Sequence, residues 1–190
     1  MNLFEEILKV LPKKLKRTRK RPNASGIDMD YVKHIKGTLI KNTCVLPGLT
    51  KTGKRKVNHG IGNLAESQTF GKTKSMFVKN APIIDRVGNR MFPKVYEMLK
   101  KIADIHFPDF EYQDICLNHN FKCEPHFDKK NRGASYIVGF GDYTGGELNI
   151  DSKKNDIRHK PLKFNGFQSL HWVEDWVGDR WTAVYFKKKL

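Results

Sequence analysis

Residues 117–135 read LNHNFKCEPHFDKKNRGAS, and this stretch carries the motif that decides the fold prediction. At its centre are His126 and Asp128, an HxD pair. In an extended chain, residues two apart point to the same face, so one imidazole nitrogen and one carboxylate oxygen can reach a single metal ion. Surface loops often contain such a pair, so HxD alone is weak evidence for a metal site.

A second stretch, residues 164–186 with the sequence FNGFQSLHWVEDWVGDRWTAVYF, supplies the groups that strengthen the prediction. His171 lies in a strand-like segment and would complete a site of two histidines and one carboxylate with open coordination positions. Arg180 follows nine residues later, and Thr182 lies two residues beyond it on the same strand face. A guanidinium makes two parallel bonds to a carboxylate, and a hydroxyl can donate a third. The complete order HxD, His, RxT therefore predicts a metal beside a dicarboxylate.

The apolar pattern predicts helices first and short strands after them. Residues 3–10 have helical spacing, and the apolar positions between 82 and 105 predict one or two helices, the second starting at Pro93. Short β-branched or aromatic runs separated by turn residues predict strands at 115–121, 135–140, 147–150, 162–164 and 182–186. This order favours an α+β fold with an antiparallel double sheet.

The chain is strongly basic, with 36 Lys and Arg against 20 Asp and Glu and a net charge of +16. Basic runs at 13–21 and 51–56 contribute much of this excess. Such a surface attracts polyanions, of which nucleic acid is the commonest inside cells. Solvated lysines that only aid solubility explain the same composition, so charge alone does not choose between the two.

Three cysteines without a CxxC pair favour free thiols in a reducing compartment. The start, MNLFEEILKVLPKK, has acids before its apolar run, which is the reverse of a signal peptide, and no run approaches the ~20 apolar residues of a membrane helix. We therefore expect a soluble intracellular protein without a membrane partner. Nuclear targeting is one interpretation of the basic run at 13–21. The expected division is a short helix and basic tail at 1–25 and a single domain at 26–190, with core strands at about 112–187. For the oligomeric state we take a monomer as the default.

From about residue 112 to 186 the chain resembles the 2-oxoglutarate/Fe(II)-dependent oxygenase superfamily. The matching stretches are 117–135, IVGFGDYTGGELNI at 137–150, and 164–186. The Asn-rich strand before HxD and the GDYTGGEL stretch are most similar to the TET/J-binding-protein type of nucleobase oxygenase, and prolyl-hydroxylase-like members share a similar Gly-Gly-Glu turn. The resemblance implies a double-stranded β-helix (jelly-roll) core with N-terminal helices packed on it.

The resemblance also implies roles for individual residues. It assigns the catalytic Fe(II) to His126, Asp128 and His171. It assigns the cosubstrate 2-oxoglutarate to Arg180 with help from Thr182, while O2 takes a remaining iron position. Further candidate cosubstrate contacts are Asn118, Asn120 and Tyr136. For these three, asparagines that satisfy backbone groups and a tyrosine of the core are equally good interpretations.

The implied activity is that of a dioxygenase hydroxylating a C–H bond, and three interpretations of the substrate stay open. The first is a nucleic-acid base, through TET-like oxidation or demethylation, and the basic surface favours it. The second is a protein side chain, as in prolyl or lysyl hydroxylation. The third is a catalytically silent nucleic-acid-binding module, which the intact motif set disfavours. Trp172, Trp176, Trp181 and Arg132 flank the motifs as core, rim or substrate-contacting residues.

Overall fold

A computed structural model of the chain describes residues 2–13, 15, 57–59, 66–74, 82–123 and 125–188. Within these residues the helices are α1 (Leu3–Val10), α2 (Val87–Met91) and α3 (Pro93–His106). The strands are β1 (Val57–His59), β2 (Glu66–Lys74), β3 (Ile83–Asp85), β4 (Asp114–His119), β5 (Phe121–Cys123), β6 (Ser135–Phe140), β7 (Tyr143–Gly145), β8 (Leu148–Ile150), β9 (Lys153–Asn155), β10 (Leu162–Phe164), β11 (His171–Val173), β12 (Trp176–Gly178) and β13 (Trp181–Phe186). The run 51–56 and all of 13–21 except Lys13 and Leu15 lie outside the described residues, so the roles predicted for them stay predictions.

Two antiparallel sheets enclose the interior of the molecule. The major sheet has the order β10-β6-β13-β4-β2-β3. The minor sheet has the order β11-β8-β9, is continued by the β12–β7 pair, and is joined to the segment after β5 by the pairing of His126 with His171. From β4 to β13 the chain alternates between the sheets, with β4, β6, β10 and β13 in the major sheet and β7, β8, β9, β11 and β12 in the minor one, while β5 pairs with β1. This alternation is a double-stranded β-helix, and it confirms the predicted jelly-roll fold.

The helices cover the outer face of the major sheet, as the sequence predicted. Pro93 occupies the first turn of α3, where its missing N–H costs no hydrogen bond. The apolar stripe of α3 is buried against the sheet at helical spacing, and it consists of Val95, Met98, Leu99, Ile102 and Ala103. The Tyr185 hydroxyl of β13 donates a 2.8 Å hydrogen bond to the Leu99 carbonyl. α1 starts at an Asn2 cap and buries Phe4 and Ile7 in the same core.

The alternation of side chains along β13 assigns each residue to one of two cores. Trp181, Ala183 and Tyr185 belong to the core under the helices. Val184 packs against a smaller core between the two sheets, formed by Ile137, Tyr143, Leu148, Ile157, Phe164, Val173 and Trp176. Because side chains two apart share a face, Thr182 lies on the same inner face as Val184. The interior between the sheets therefore receives the RxT motif.

Several element boundaries differ from the sequence prediction. The strand expected over 115–121 is two strands, β4 and β5, separated by Asn120, whose φ of +48° breaks the extended backbone. Ile83–Asp85 is an edge strand and not the start of a helix, and its isoleucines are exposed. β2 was not predicted, because ESQTFGKTK lacks an alternating apolar pattern. Among the described helices, none has the length and apolarity needed to cross a membrane.

Candidate active site

The structure brings His126, Asp128 and His171 together at one end of the jelly roll. Their nearest ligand atoms all lie within 4.8 Å of one another. His126 Nε2 is 3.7 Å from Asp128 Oδ1, and His171 Nε2 is 3.7 Å from Asp128 Oδ2. Two imidazole nitrogens and one carboxylate oxygen therefore converge on a common point, as the sequence predicted.

A local pairing of two backbone segments holds the histidines in place. His126 N–H donates to the His171 carbonyl at 3.0 Å, and His171 N–H returns the bond at 3.1 Å. His171 Nδ1 lies 3.0 Å from the Ser169 carbonyl, which fits an Nδ1–H donor and leaves Nε2 as the ligand atom. The two rings, with centroids 4.2 Å apart, consequently present nitrogens to the same side.

Asp128 is held by groups that the sequence reasoning missed. The Asn131 side-chain amide donates to Asp128 Oδ2 at 3.1 Å, and Asp128 N–H donates to the Gly166 carbonyl at 2.6 Å. The sequence offers one signal for the first contact, which is an asparagine three residues after the HxD aspartate in the turn that follows. Such hydrogen bonds fix the orientation of a ligating carboxylate.

Gly166 lies directly against two of the candidate ligands. A Cβ placed on Gly166 would lie 3.0 Å from Asp128 Oδ2 and 3.0 Å from His171 Cε1. Any side chain here would press on two of the three candidate ligands. The donor set of two imidazoles and one carboxylate fits a non-haem Fe(II) ion.

Arg180 is a buried cation on the interior side of the RxT motif. Its residue is 1% exposed, and Nη2 donates to the Gly146 carbonyl at 2.9 Å. The guanidinium carbon lies 5.5 Å from the Tyr143 ring centroid and 5.3 Å from that of Trp176. Among the described residues Arg180 forms no ion pair, and its buried Nε has no hydrogen-bond partner.

Burial without a carboxylate partner disfavours the charged form of Arg180 and lowers its pKa. An isolated buried charge is costly, so an anion bound beside Arg180 would stabilise its charged form. Gly146 makes the burial of Arg180 possible: its φ is +71°, and a Cβ there would lie 2.6 Å from Arg180 Nε. The sequence did not predict that Gly146, Tyr143 and Trp176 surround Arg180, although Gly146 belongs to the GDYTGGEL stretch.

Thr182 and Asn118 lie side by side on the inner face of the major sheet. They are register partners on β13 and β4, and Asn118 Nδ2 donates to Thr182 Oγ1 at 3.4 Å. Asn118 Oδ1 in turn accepts a hydrogen bond from Cys116 Sγ at 3.3 Å. Both predicted residues therefore line the interior that also receives Arg180.

Asn120 and Tyr136 do not line this interior; they make the backbone and core contacts that the sequence left open as the alternative interpretation. Asn120 lies beyond the end of β4 with positive φ, so it does not continue the face of Asn118. Its side-chain oxygen accepts the Arg180 backbone N–H at 2.9 Å. Tyr136 is on the helix side of β6, stacked on Phe107 at 4.4 Å, because its parity is opposite to that of Ile137.

The three tryptophans and His119 have structural partners. Trp181 stacks on His119 at 3.9 Å, and its Nε1 donates to Asp179 Oδ2 at 3.0 Å. His119 Nε2 also contacts Asp179, so His119 faces away from Asn118, as expected from its position. Trp176 packs under Arg180, while Trp172 is half-buried with its Nε1 3.3 Å from Glu174 Oε1.

Comparison with known proteins gives matches among solved structures alone. No protein-family model matches the chain, and no curated protein matches it. NgTET1 in complex with 5mC DNA is 16% identical with a TM-score of 0.46, over 65% of this chain and 61% of that one, so the chain spans less than two thirds of its length. A 2OG-Fe(II) oxygenase family oxidoreductase from Burkholderia pseudomallei is 11% identical (TM-score 0.43, 84% and 79% covered). A Pseudomonas putida prolyl-4-hydroxylase is 11% identical (TM-score 0.40, 83% and 81% covered).

Proposed function

We propose that this chain is an Fe(II)- and 2-oxoglutarate-dependent dioxygenase. The observation that carries the proposal is the pairing of two features in one jelly roll. The His126, Asp128 and His171 triad supplies metal ligands, and the buried Arg180 forms no ion pair among the described residues. A metal site alone is compatible with many reactions, whereas a metal site combined with a buried arginine that forms no ion pair among the described residues fits a carboxylate cosubstrate.

Each residue of the site has a task that follows from its contacts. His126, Asp128 and His171 would hold Fe(II), which with 2-oxoglutarate and O2 supplies hydroxylation of a C–H bond coupled to decarboxylation of the cosubstrate to succinate. Arg180 would bind the distal carboxylate of 2-oxoglutarate through its free donor. Thr182 and Asn118 offer a hydroxyl and an amide on the same inner face.

The surrounding side chains keep the site ordered and dry. Asn131 and Ser169 fix the orientation of Asp128 and His171 through the contacts described above. The Phe164 ring lies edge-on to His171 at 5.1 Å and belongs to the apolar core between the sheets. An apolar wall on this side excludes water from the reacting groups, which strengthens the electrostatic contacts inside.

For the substrate, we propose a nucleic-acid base. The net charge of +16 supports this choice, because a polyanion gains affinity from contacts with Lys and Arg. A base in a duplex would have to be flipped into the site, whereas one in a single strand could enter directly. The similar structures include one solved with 5mC DNA and one prolyl-4-hydroxylase, so they do not choose between the substrate classes. A prolyl or lysyl side chain is the alternative, and the complete ligand set argues against a silent module.

The test is turnover with defined polymers. Fe(II)-loaded protein is incubated with 2-oxoglutarate, O2 and either methylated DNA, methylated RNA or Pro- and Lys-containing peptides, and succinate and product mass are measured. We expect succinate stimulated by nucleic acid together with a mass gain of one oxygen or loss of a methyl group. His126→Ala should abolish both readouts, since it removes a metal ligand. Stimulation by peptides alone would overturn the base as substrate, and full activity of the variant would overturn the metal assignment.

A further inference from the structure

A groove opens on the surface beside the candidate metal site. It has a volume of about 540 Å³. Its walls are the segment that leads into β4 and the segment that leaves β13, and the residues lining it are Phe110, Glu111, Tyr112, Gln113, Arg132, Lys187 and Lys188. The groove is distinct from the interior that contains Arg180.

A short chain of contacts connects this groove to the triad. Asn131, which donates to Asp128 Oδ2, is followed directly by Arg132. The Arg132 backbone N–H donates to the Lys187 carbonyl at 2.8 Å, and Asn131 pairs with Lys188 in an isolated antiparallel bridge. Directly paired residues on neighbouring segments have Cα atoms about 5 Å apart. Asn131 therefore contacts the candidate metal-binding carboxylate and adjoins Arg132, which lines the groove.

The groove and the turn before it carry an excess of positive charge. We call Lys129, Lys130, Arg132, Lys187 and Lys188 the basic rim. Lys187 pairs with Glu111 at 2.6 Å, and Lys188 lies 3.2 Å from Asp114, whose carboxylate already binds Arg86 in a bidentate pair. In the parts of the chain that the structure describes, the other three rim cations form no ion pair.

We infer that the basic rim binds the phosphodiester backbone of the nucleic acid whose base enters the metal site. The inference rests on the proposed function and extends it with a surface and a contact chemistry. Several cations arranged next to one another suit a polymer with regularly spaced charges, since 2-oxoglutarate itself needs only Arg180. The Arg132 fork can make two hydrogen bonds to phosphate oxygens. Phosphate contacts at the rim would position the strand, while the interior selects the base.

The experiment compares two charge-neutralising variants of the full chain. Arg132→Gln removes an unpaired rim cation, and Lys101→Gln removes an exposed cation of α3, which covers the outer face of the major sheet. The probe is a fluorescently labelled oligothymidylate, and its Kd is measured by anisotropy over a series of KCl concentrations. One lost phosphate contact on a single strand lowers the slope of log Kd against log salt by about 0.7, which is about fivefold in Kd near 0.1 M salt.

We expect this change for Arg132→Gln and a much smaller one for Lys101→Gln. Equal effects of the two variants would overturn the inference, because the affinity would then depend on the net charge of the protein and not on the position of the cation. Equal competition by an acidic peptide of the same charge would overturn it as well, since the rim would not distinguish phosphodiester from carboxylate. Succinate formation by the unsubstituted chain is measured in parallel: if succinate forms with nucleic acid but the variants do not differ, the rim inference alone fails. If no succinate forms with any polymer, the proposed function fails whatever the anisotropy shows.

Discussion

Asn120 and Arg180 are bound to each other through two hydrogen bonds that fix the backbone of the arginine. Asn120 N–H donates to the Arg180 carbonyl at 2.8 Å, and Arg180 N–H donates to Asn120 Oδ1 at 2.9 Å. Asn120 Nδ2 also lies 3.3 Å from Asp179 Oδ1. Asn120 is 1% exposed and has a φ of +48°, a conformation that asparagine tolerates better than most residues. These contacts position the backbone of Arg180.

Replacement of Asn120 by glycine should weaken 2-oxoglutarate binding while leaving the chemical step nearly intact. Glycine accepts the positive φ, so the change removes the side-chain contacts to Arg180, Asp179 and His119 without straining the backbone. Loss of one such hydrogen bond costs about 1 kcal/mol, and we expect the KM for 2-oxoglutarate to rise about fivefold with little change in kcat. Steady-state succinate kinetics measure both quantities. A fall in kcat at unchanged KM would place Asn120 in a different role.

Replacement of Gly166 by alanine should weaken metal binding. The new Cβ would lie 3.0 Å from Asp128 Oδ2 and His171 Cε1, so the ligands have to move apart. Disturbing metal ligands and the hydrogen bonds that support them lowers metal affinity roughly tenfold or more. Titration of the protein with Fe(II) without O2 measures the change. The matched control is Gly133→Asn, because Gly133 has open space around it and a φ of +73° that asparagine tolerates.

The stability of the fold should decrease in mildly acidic solution through His159. Burial and the neighbouring Arg158 lower the pKa of His159, with Glu5 and Asp156 opposing in part, and its ring stacks on Phe4 of α1 at 4.9 Å. Because the unfolded chain binds this proton more readily than the folded one, the stabilisation is complete above the unfolded pKa of about 6.5 and is lost as pH falls below it.

His159→Asn removes this titration and suits the φ of +58° at that position. Urea unfolding at pH 7.5 and pH 5.5 should show a smaller difference in the free energy of unfolding for the variant than for the unsubstituted chain. An unchanged difference would mean that other groups cause the acid sensitivity.

Much of the signal by which the sequence predicted the candidate site residues is local, and the structure brings His126, Asp128 and His171 together. His126 and Asp128 are two apart on extended backbone, and Arg180 and Thr182 are two apart at the start of a strong apolar strand, so parity alone orients them. The exact bounds of β6 and β10 followed from β-branched and aromatic runs of the same kind.

The placement of the remaining residues depends on information that no local pattern contains. Asn120 continues the alternation of Asn118 only if the strand is unbroken, and its positive φ breaks it. Tyr136 fits either face of β6 until the position of α3 is known, since Phe107 provides its partner. Gly166 and Asn131 act through contacts across a turn, which the residue types alone do not predict.

The most direct test of the central claim is the equilibrium binding of 2-oxoglutarate, measured by calorimetry in the absence of O2. Four samples are compared: the chain with and without Fe(II), and Arg180→Gln with and without Fe(II). If the triad and Arg180 hold the two ends of one diacid, binding is tight only with both the metal and the arginine. Loss of the guanidinium should then weaken it by about a hundredfold, while Fe(II) affinity is nearly unchanged. Equal 2-oxoglutarate affinity with and without Fe(II), or in Arg180→Gln and the unsubstituted chain, would contradict the account.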